Sequence, residues 1–448
     1  MSETPTTLRG WPLVGSAPGL LRDPLGFFSA LPAHGDVVAI RLGPLKMYVV
    51  NHPDLVRQVL VNQAHAFDKG RHFEKLRLWW GNGLSTSEGA FHQRQRRLMQ
   101  PAFHRRQVAG YVEDMRRAAR RQVGSWPAGK VIQLDRELYA LLVTMITENL
   151  FSTSIDDRAT ATLQSALPII LDWVGWLTLD TTDLLGKLPI PANRRFRHAV
   201  EAMNATVDAV IDHHPAGRTD LLSMLRNARD ADTGQSMSRQ QIRDEVITLM
   251  MTGSETTRTV LSWSCHLLST HPGVQAAVQA EADRVLRGRP PEAADLDHLA
   301  LTRRVITEAM RMYPITWLLT RRAATDVELG PYRIPAGSAL CYSEYVLHRD
   351  PVTYPGPDRF DPDRWLPDRD PPPRGAYIPF GAGIRSCIGE PVAWAQATVI
   401  LATIAQTWTL HPAPGPAVKP LARMLLMPQR LPMILQPCHA AGAHSHSG

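Results

Sequence analysis

Cysteine is scarce in this chain. Four residues, at 265, 341, 387 and 438, are spread over 448 positions, and no two form a C-x-x-C pair. That excludes a disulfide framework and a structural zinc site of the usual spacing, and it suits a reducing compartment, so a cytoplasmic protein is expected. Long apolar runs are missing as well. The opening segment, MSETPTTLRGWPLVGSAPGLL, holds no signal-peptide pattern and nothing near the ~20 apolar residues of a membrane span, so no membrane anchor is expected there. No period of roughly 20 to 50 residues recurs, which excludes solenoids and propellers.

What is present suffices for a substantial core, with 44% hydrophobic residues against 20% charged. Length alone would allow about three domains. The strongest linker candidates, the proline-rich stretches 367–374 and 411–420, are short and flanked by apolar sequence, so they read as surface excursions of one large domain, residues 1–437. Residues 438–448, ending HAAGAHSHSG, read as a disordered tail. Forty-nine basic side chains against forty-two acidic leave a charge of +7, which admits nucleic acid or an acidic protein as partner. The arginines are dispersed except in FHQRQRRLMQPAFHRRQ, residues 91–107, a pattern that a solvated helix face also produces.

Residues 36–50 alternate about Gly43-Pro44 and predict a hairpin, and residues 327–337 predict a second. Helical periodicity covers 53–62, 90–101, 105–123, 134–150 and 193–213. The longest helix starts at Ser238, an N-cap with Gln241 three places on, and runs to the break at Pro272-Gly273. The expected fold class is mainly α with small β-sheets. Inside the longest helix, Val246 to Met251 are apolar nearly all round and predict burial. Thr252, Gly253, Ser254, Glu255, Thr256 and Thr257 then break the pattern. A mid-helix glycine costs ~1 kcal/mol relative to alanine, and buried hydroxyls or carboxylates must find partners. Two readings stay open here: a functional site, or threonine hydroxyls bonding back to the preceding turn.

PFGAGIRSCIGEPVAW, residues 379–394, sets Cys387 among Gly381, Gly383 and Gly389, just before Pro391 opens an apolar helix. A helix N-terminus favours the thiolate. Glycines on both sides admit a bulky planar group, and Arg385 could neutralise a carboxylate on it. Those are the needs of a haem held by sulfur, whereas the other three cysteines read as core thiols. Phe380, Gly383, Arg385, Cys387 and Gly389 fit F-x-x-G-x-R-x-C-x-G, and the segment resembles the haem-binding loop of the cytochrome P450 family.

Other motifs follow in that family's order, so the resemblance spans nearly the whole chain. Glu308 and Arg311 in EAMR, with Arg359 in PDRF, resemble its buried charge network. TGSETT resembles its oxygen-activation segment, with Gly253, Glu255 and Thr256 matching and Thr252 replacing the usual small residue. His92 and Arg96 match the propionate-binding pattern W/H-x-x-x-R, and Arg321 matches a further propionate arginine, with Arg322 as its rival. Val392 stands where the family most often has phenylalanine.

The resemblance implies a soluble bacterial monooxygenase carrying haem b, with Cys387 on the iron and Arg385, His92, Arg96, Arg321, Phe380, Gly383 and Gly389 around the cofactor. It implies O2 as oxidant and electrons from NAD(P)H through a reductase and a ferredoxin, since no flavin or NAD domain fits in the chain. A basic face including Arg94, Arg97 and Arg105 would suit an acidic ferredoxin, which leaves nucleic acid unnecessary. Glu255 and Thr256 would deliver protons through ordered water. By position, Trp79, Trp80, Trp173, Trp176, Met250, Gly253, Ile315, Trp317, Leu318, Met424 and Leu425 would line the substrate pocket. That apolar, aromatic surface suits a terpenoid, a polyketide or an aromatic cyclic dipeptide, and the general look is similar to bacterial terpene oxidases. Oxidative C–C or C–O coupling is the alternative activity, and a silent haem-binding module the alternative without one. A monomer is expected.

Overall fold

Ser238 caps the long helix as its sequence requires: its Oγ accepts from the Gln241 N–H at 3.2 Å, and Gln241 Oε1 accepts from the Ser238 N–H at 2.7 Å. The computed structural model describes residues 3–151, 157–179, 185–215, 217 and 220–438; the side chain of Trp176 and the tail beyond Cys438 lie outside the described residues. The helices that position the site are α1 (Arg71–Trp80), α2 (Gly89–Met99), α3 (Arg105–Val123), α4 (Leu134–Phe151), α5 (Asp157–Leu179), α6 (Pro191–His213), α7 (Arg239–Thr270), α8 (Pro272–Leu286), α9 (Ala300–Met312) and α10 (Glu390–Thr407). At ~1.5 Å per residue the 32 residues of α7 extend about 48 Å, and Pro272 ends it where the sequence predicts.

Helices α3, α4, α8, α9 and α10 contribute to the main core with the C-terminal half of α7, where Trp263 stacks on Tyr313 with ring centroids 3.7 Å apart. A second core joins the N-terminal half of α7 to α1, α5 and α6. The expectation of a mainly α fold with small sheets in one domain holds.

The main sheet has the order Thr6–Thr7, β1 (Val37–Leu42), β2 (Leu45–Val50), β4 (Ala339–Tyr342), β3 (Leu319–Ala323) and Phe67–Asp68. β1 and β2 form the first expected hairpin, Val37 opposite Val50, and Val327–Leu329 with Tyr332–Ile334 form the second. Two registers matter for the site. β3 runs antiparallel to β4 with Leu319 opposite Tyr342, and Phe67–Asp68 pairs with β3 so that Asp68 faces Arg322.

The helix expected over 53–62 differs in its second half. It is α-helical over Pro53–Arg57 and π-helical over Gln58–Asn62. The wider turns bring the Leu60 carbonyl against Gly383, where a Cβ would collide with it, so the π segment packs directly on the cysteine loop.

Candidate active site

Two glycines shape the cysteine loop. Gly381 and Gly383 sit at φ 68° and 67°, in the left-handed region that side chains disfavour. The Cys387 N–H donates to the Phe380 carbonyl at 2.8 Å, and α10 starts three residues later with Pro391 in its first turn. Cys387 lines a cavity of about 330 Å³, together with Phe380, Gly389, Val392 and a stripe of α7. The Cys387 side chain is open to the cavity; desolvation by the protein packed around it pushes the thiol up, while the N–H groups of Gly389 and Glu390 pull it down. The net direction is upward, against the expectation from the helix terminus alone, because desolvation outweighs two backbone dipoles.

The basic residues beside the cavity meet through sheet register. Along β3, Arg321 is 9% exposed and lines the cavity. The next residue, Arg322, points the other way and pairs with Asp68 and Glu74, both at 2.8 Å. Strand alternation therefore places Arg321, not Arg322, at the site. Pairing of Asp68 with Arg322 also brings Lys69 alongside, a residue the sequence reading missed. Burial, then Arg385 and Arg321, push the Lys69 ammonium down to about 7, with Glu88 opposing. From α2, His92 is buried and pushed down to about 3, by burial first and then by Arg385, Lys69 and Arg96. Arg96 Nη1 donates to the Ser386 carbonyl at 2.7 Å. Arg385 donates to the Ser87 carbonyl at 2.6 Å and pairs with Glu88. Lys69, Arg96, Arg321 and Arg385 thus crowd together with Glu88 as the opposing carboxylate among these residues. This surplus of buried and half-buried positive charge, beside a cavity-lining thiol, fits a planar group that carries carboxylates and a thiolate-binding iron, which is haem.

On α7 the cavity face is Leu249, Thr252, Gly253, Thr256, Thr257 and Val260, the i, i+3, i+4 stripe of one helix side. The threonine hydroxyls do bond back: Thr252 Oγ1 donates to the Thr248 carbonyl at 2.8 Å and Thr256 Oγ1 to the Thr252 carbonyl at 2.6 Å. Both still line the cavity. A Cβ on Gly253 would run into Ile146 Cδ1, so the glycine serves close packing of α4 on α7. Glu255 lies one residue off the stripe and does not line the cavity. It is 2% exposed, with Arg258 Nη2 3.1 Å from Oε2 but not aligned as a hydrogen bond. Burial raises its carboxyl, and Arg258 opposes that rise. The Arg258 guanidinium lies over the Tyr139 ring at 5.3 Å.

Of the residues expected to line the substrate pocket, Gly253 and Ile315 line this cavity. The other described ones do not. Trp317 donates from Nε1 to the Arg423 carbonyl at 2.6 Å and meets Phe28 edge-on at 5.7 Å. Leu318 packs in that same core under the sheet. Trp79 meets Phe196 edge-on at 4.8 Å. Trp80 and Met250 are buried in the second core, against which Trp173 and Met424 pack, and Leu425 is buried in the main core. Met250, like Glu255, is off the cavity stripe of α7 by one residue, about 100° of rotation. The tryptophans were not legible in the sequence, since large aromatic rings serve any core equally well.

The charge network is real but one member changes. Glu308 and Arg311 are fully buried, with Arg311 Nε 2.8 Å from Glu308 Oε2 and Nη2 2.9 Å from Oε1. Arg311 Nη1 donates to the His348 carbonyl at 2.9 Å. Arg359 contributes its carbonyl, at 3.4 Å from Arg311 Nη2, and its side chain pairs with Asp361 at the surface. Trp365 Nε1 donates to Glu308 Oε2 at 2.8 Å, and Arg364 Nε lies 3.5 Å from Oε1. The tetrapeptide P-D-R-aromatic occurs twice, at 357–360 and 362–365. Asp361 caps the turn Pro362–Trp365 and so turns the second copy inward.

On the basic surface, Arg97 pairs with Asp232 at 3.0 Å and Asp230 at 3.3 Å, and Arg94 lies 3.9 Å from Asp230. Arg105 is exposed. No helix among the described residues is long and apolar enough to cross a membrane.

Comparison with known proteins agrees with this geometry. A family profile described as Cytochrome P450 matches residues 5–435. Cyclooctatin synthase from Streptomyces melanosporofaciens is 46% identical over 434 residues, covering 96% of this chain and 94% of that protein. Cyclooctat-9-en-7-ol 5-monooxygenase of the same organism is 42% identical, covering 95% and 94%. Pentalenene oxygenase from Streptomyces avermitilis is 41% identical, covering 92% of each. The crystal structure of the cytochrome P450DA heme domain superposes with a TM-score of 0.87 at 26% identity, over 98% of both chains. With a family match over nearly its whole length and relatives named as oxygenases at this identity, the chain belongs to the cytochrome P450 family and is a monooxygenase.

Proposed function

We propose that this P450 inserts one oxygen atom of O2 into a cyclic terpenoid, using electrons that a reductase and a ferredoxin relay from NAD(P)H. The observation that carries the reading is the cavity between Cys387 and the threonine stripe of α7, walled mostly by apolar side chains. The relatives named for pentalenene and for cyclooctatin support a terpene skeleton as its occupant.

In this reading Cys387 would hold the iron of haem b, and Arg321, Arg385, Arg96 and Lys69 would hold the carboxylates. When bound, the haem supplies the redox chemistry of oxygen activation. The chain's own part is position, dryness and protons. Ile315, Leu319, Val260 and Ile306 exclude water from the reacting face. Thr256 would turn its hydroxyl proton from the Thr252 carbonyl into the cavity, and Glu255 would resupply it by turning from Arg258 toward Thr256. Arg105 and its basic neighbours offer a docking surface to an acidic ferredoxin.

The test begins with the reduced carbon monoxide spectrum. The parent protein should show the red-shifted Soret band of thiolate-ligated haem, Cys387→Ser should lose it, and Cys265→Ser should keep it. Cyclic terpenoids supplied with a surrogate ferredoxin and reductase should then give products heavier by one oxygen atom. Products joined without added oxygen would instead indicate coupling, and a terpenoid panel that neither shifts the Soret band nor is consumed would overturn the substrate class.

A further inference from the structure

Thr316 and Glu344 also line the cavity, and nothing in the reaction above uses them. Strand register brings them together. With Leu319 opposite Tyr342 in the antiparallel β3–β4 pair, the residues just before β3 face those just after β4. Thr316 Oγ1 then lies 3.4 Å from Glu344 Oε1.

The arrangement is held rigidly. Ser343 Oγ donates to the Trp317 carbonyl at 2.8 Å, and Trp317 Nε1 donates to the Arg423 carbonyl at 2.6 Å, so the residue after Thr316 and the residue before Glu344 are tied together. Glu344 is 1% exposed, and its Oε2 has no hydrogen-bond partner. No ion pair to Glu344 occurs among the described residues. Burial keeps its carboxyl well above the usual carboxylate range, so it offers both an O–H donor and a carbonyl acceptor. Around it the wall is apolar, with Ile306, Met310, Ile315 and Leu319.

A buried polar pair of this kind has a price if a bare hydrocarbon fills the cavity, since the unpaired oxygen stays desolvated and unsatisfied. An alcohol removes that cost. We infer that Thr316 and Glu344 form a polar subsite for a hydroxyl already present on the substrate, so that the enzyme takes a hydroxylated terpenoid in preference to the parent hydrocarbon. The inference rests on the terpenoid reading, and it places this reaction after one that installs the alcohol.

The experiment is Soret-shift titration of the holoenzyme with matched pairs, cedrol against cedrene and α-terpineol against limonene, haem occupancy being checked by the carbon monoxide spectrum. The alcohols should bind about tenfold more tightly, the upper end for one neutral hydrogen bond. Thr316→Val and Glu344→Leu should bring the ratio close to one, while Glu344→Gln, which keeps a donor and an acceptor, should retain most of it. Equal binding of alcohol and hydrocarbon by the parent protein, or a preference that survives both Thr316→Val and Glu344→Leu, overturns the subsite and leaves the terpenoid reading standing. Absence of any shift with all four compounds overturns the terpenoid reading and the subsite with it.

Discussion

Arg311 and Arg321 are both buried guanidinium groups, yet their surroundings differ in kind. Arg311 meets a carboxylate through two hydrogen bonds and a carbonyl through a third, and its carboxylate partner Glu308 takes further donors from Trp365 and the Asp361 N–H. Charge and hydrogen bonds both close within the chain. Arg321 bonds the Thr320 carbonyl at 2.8 Å and otherwise stands among Lys69, Arg385 and Arg96 beside a cavity. A saturated cluster serves the fold; an unsaturated one, with four cations against one carboxylate beside a cavity, is suited to an anionic ligand.

Breaking the saturated cluster carries the largest expected effect. Glu308→Ala strands a buried Arg311 at a cost of about 3–5 kcal/mol, so low yield and an early thermal transition are expected. Melting alongside the parent would show the pair to be superficial.

Next comes a buried carboxyl that belongs to neither cluster. Glu245 of α7 accepts from the Leu84 N–H and from Gln95 Nε2, both at 2.9 Å, and so anchors the segment that carries Glu88. Burial, opposed by those hydrogen bonds, raises it from 4.5 to about 7. Between those two values the folded protein keeps a proton that the unfolded chain has lost. Stability must therefore fall as pH rises through that window and level off above it, by on the order of 3 kcal/mol. Glu245→Gln, with Gln95 free to turn its amide, should flatten the profile of melting temperature between pH 5 and 8. Parallel profiles for parent and variant would refute the assignment.

The unsaturated cluster should respond with the opposite sign. Arg321→Leu removes one repelling cation, so the apoprotein should melt no lower than the parent. The holoprotein should lose haem to apomyoglobin about tenfold faster, the effect of one charge-assisted hydrogen bond. A less stable apoprotein with unchanged haem retention would make Arg321 a structural residue like Arg311.

The smallest effect on stability is expected at the cavity wall. Thr256→Ala should keep haem and the substrate-induced Soret shift, yet divert most reducing equivalents to hydrogen peroxide. Product formed per NAD(P)H oxidised, measured beside released peroxide, checks this. Unchanged coupling would shift the proton-handling role to Thr252 or Thr257, which line the same face.

Much of this was legible in the sequence where the governing rule is local. The Ser238–Gln241 cap, the two hairpins, the ends of α3 and the glycine-flanked Cys387 loop depend on neighbours a few residues away. The choice between Arg359 and Arg364 was not legible, since both copies of P-D-R-aromatic satisfy the same local pattern and only the Asp361-capped turn selects one. The tryptophans were ambiguous for another reason. Position and hydrophobicity suit Trp317 and Trp79 to a pocket, and a core position satisfies both as well.

What the sequence by itself determined is the set of elements and the chemistry each can carry: a thiol on a glycine loop, a polar interruption in a buried helix, a Glu-Arg pair at i, i+3. Those follow from backbone sterics, helix periodicity and capping, all of short range. Tertiary structure alone decided which charges meet. Lys69 reaches Arg321 because Asp68 pairs with Arg322, and Thr316 reaches Glu344 because Leu319 pairs with Tyr342. Electrostatics and desolvation act through space, and strand register between segments distant in sequence sets the distances on which they act.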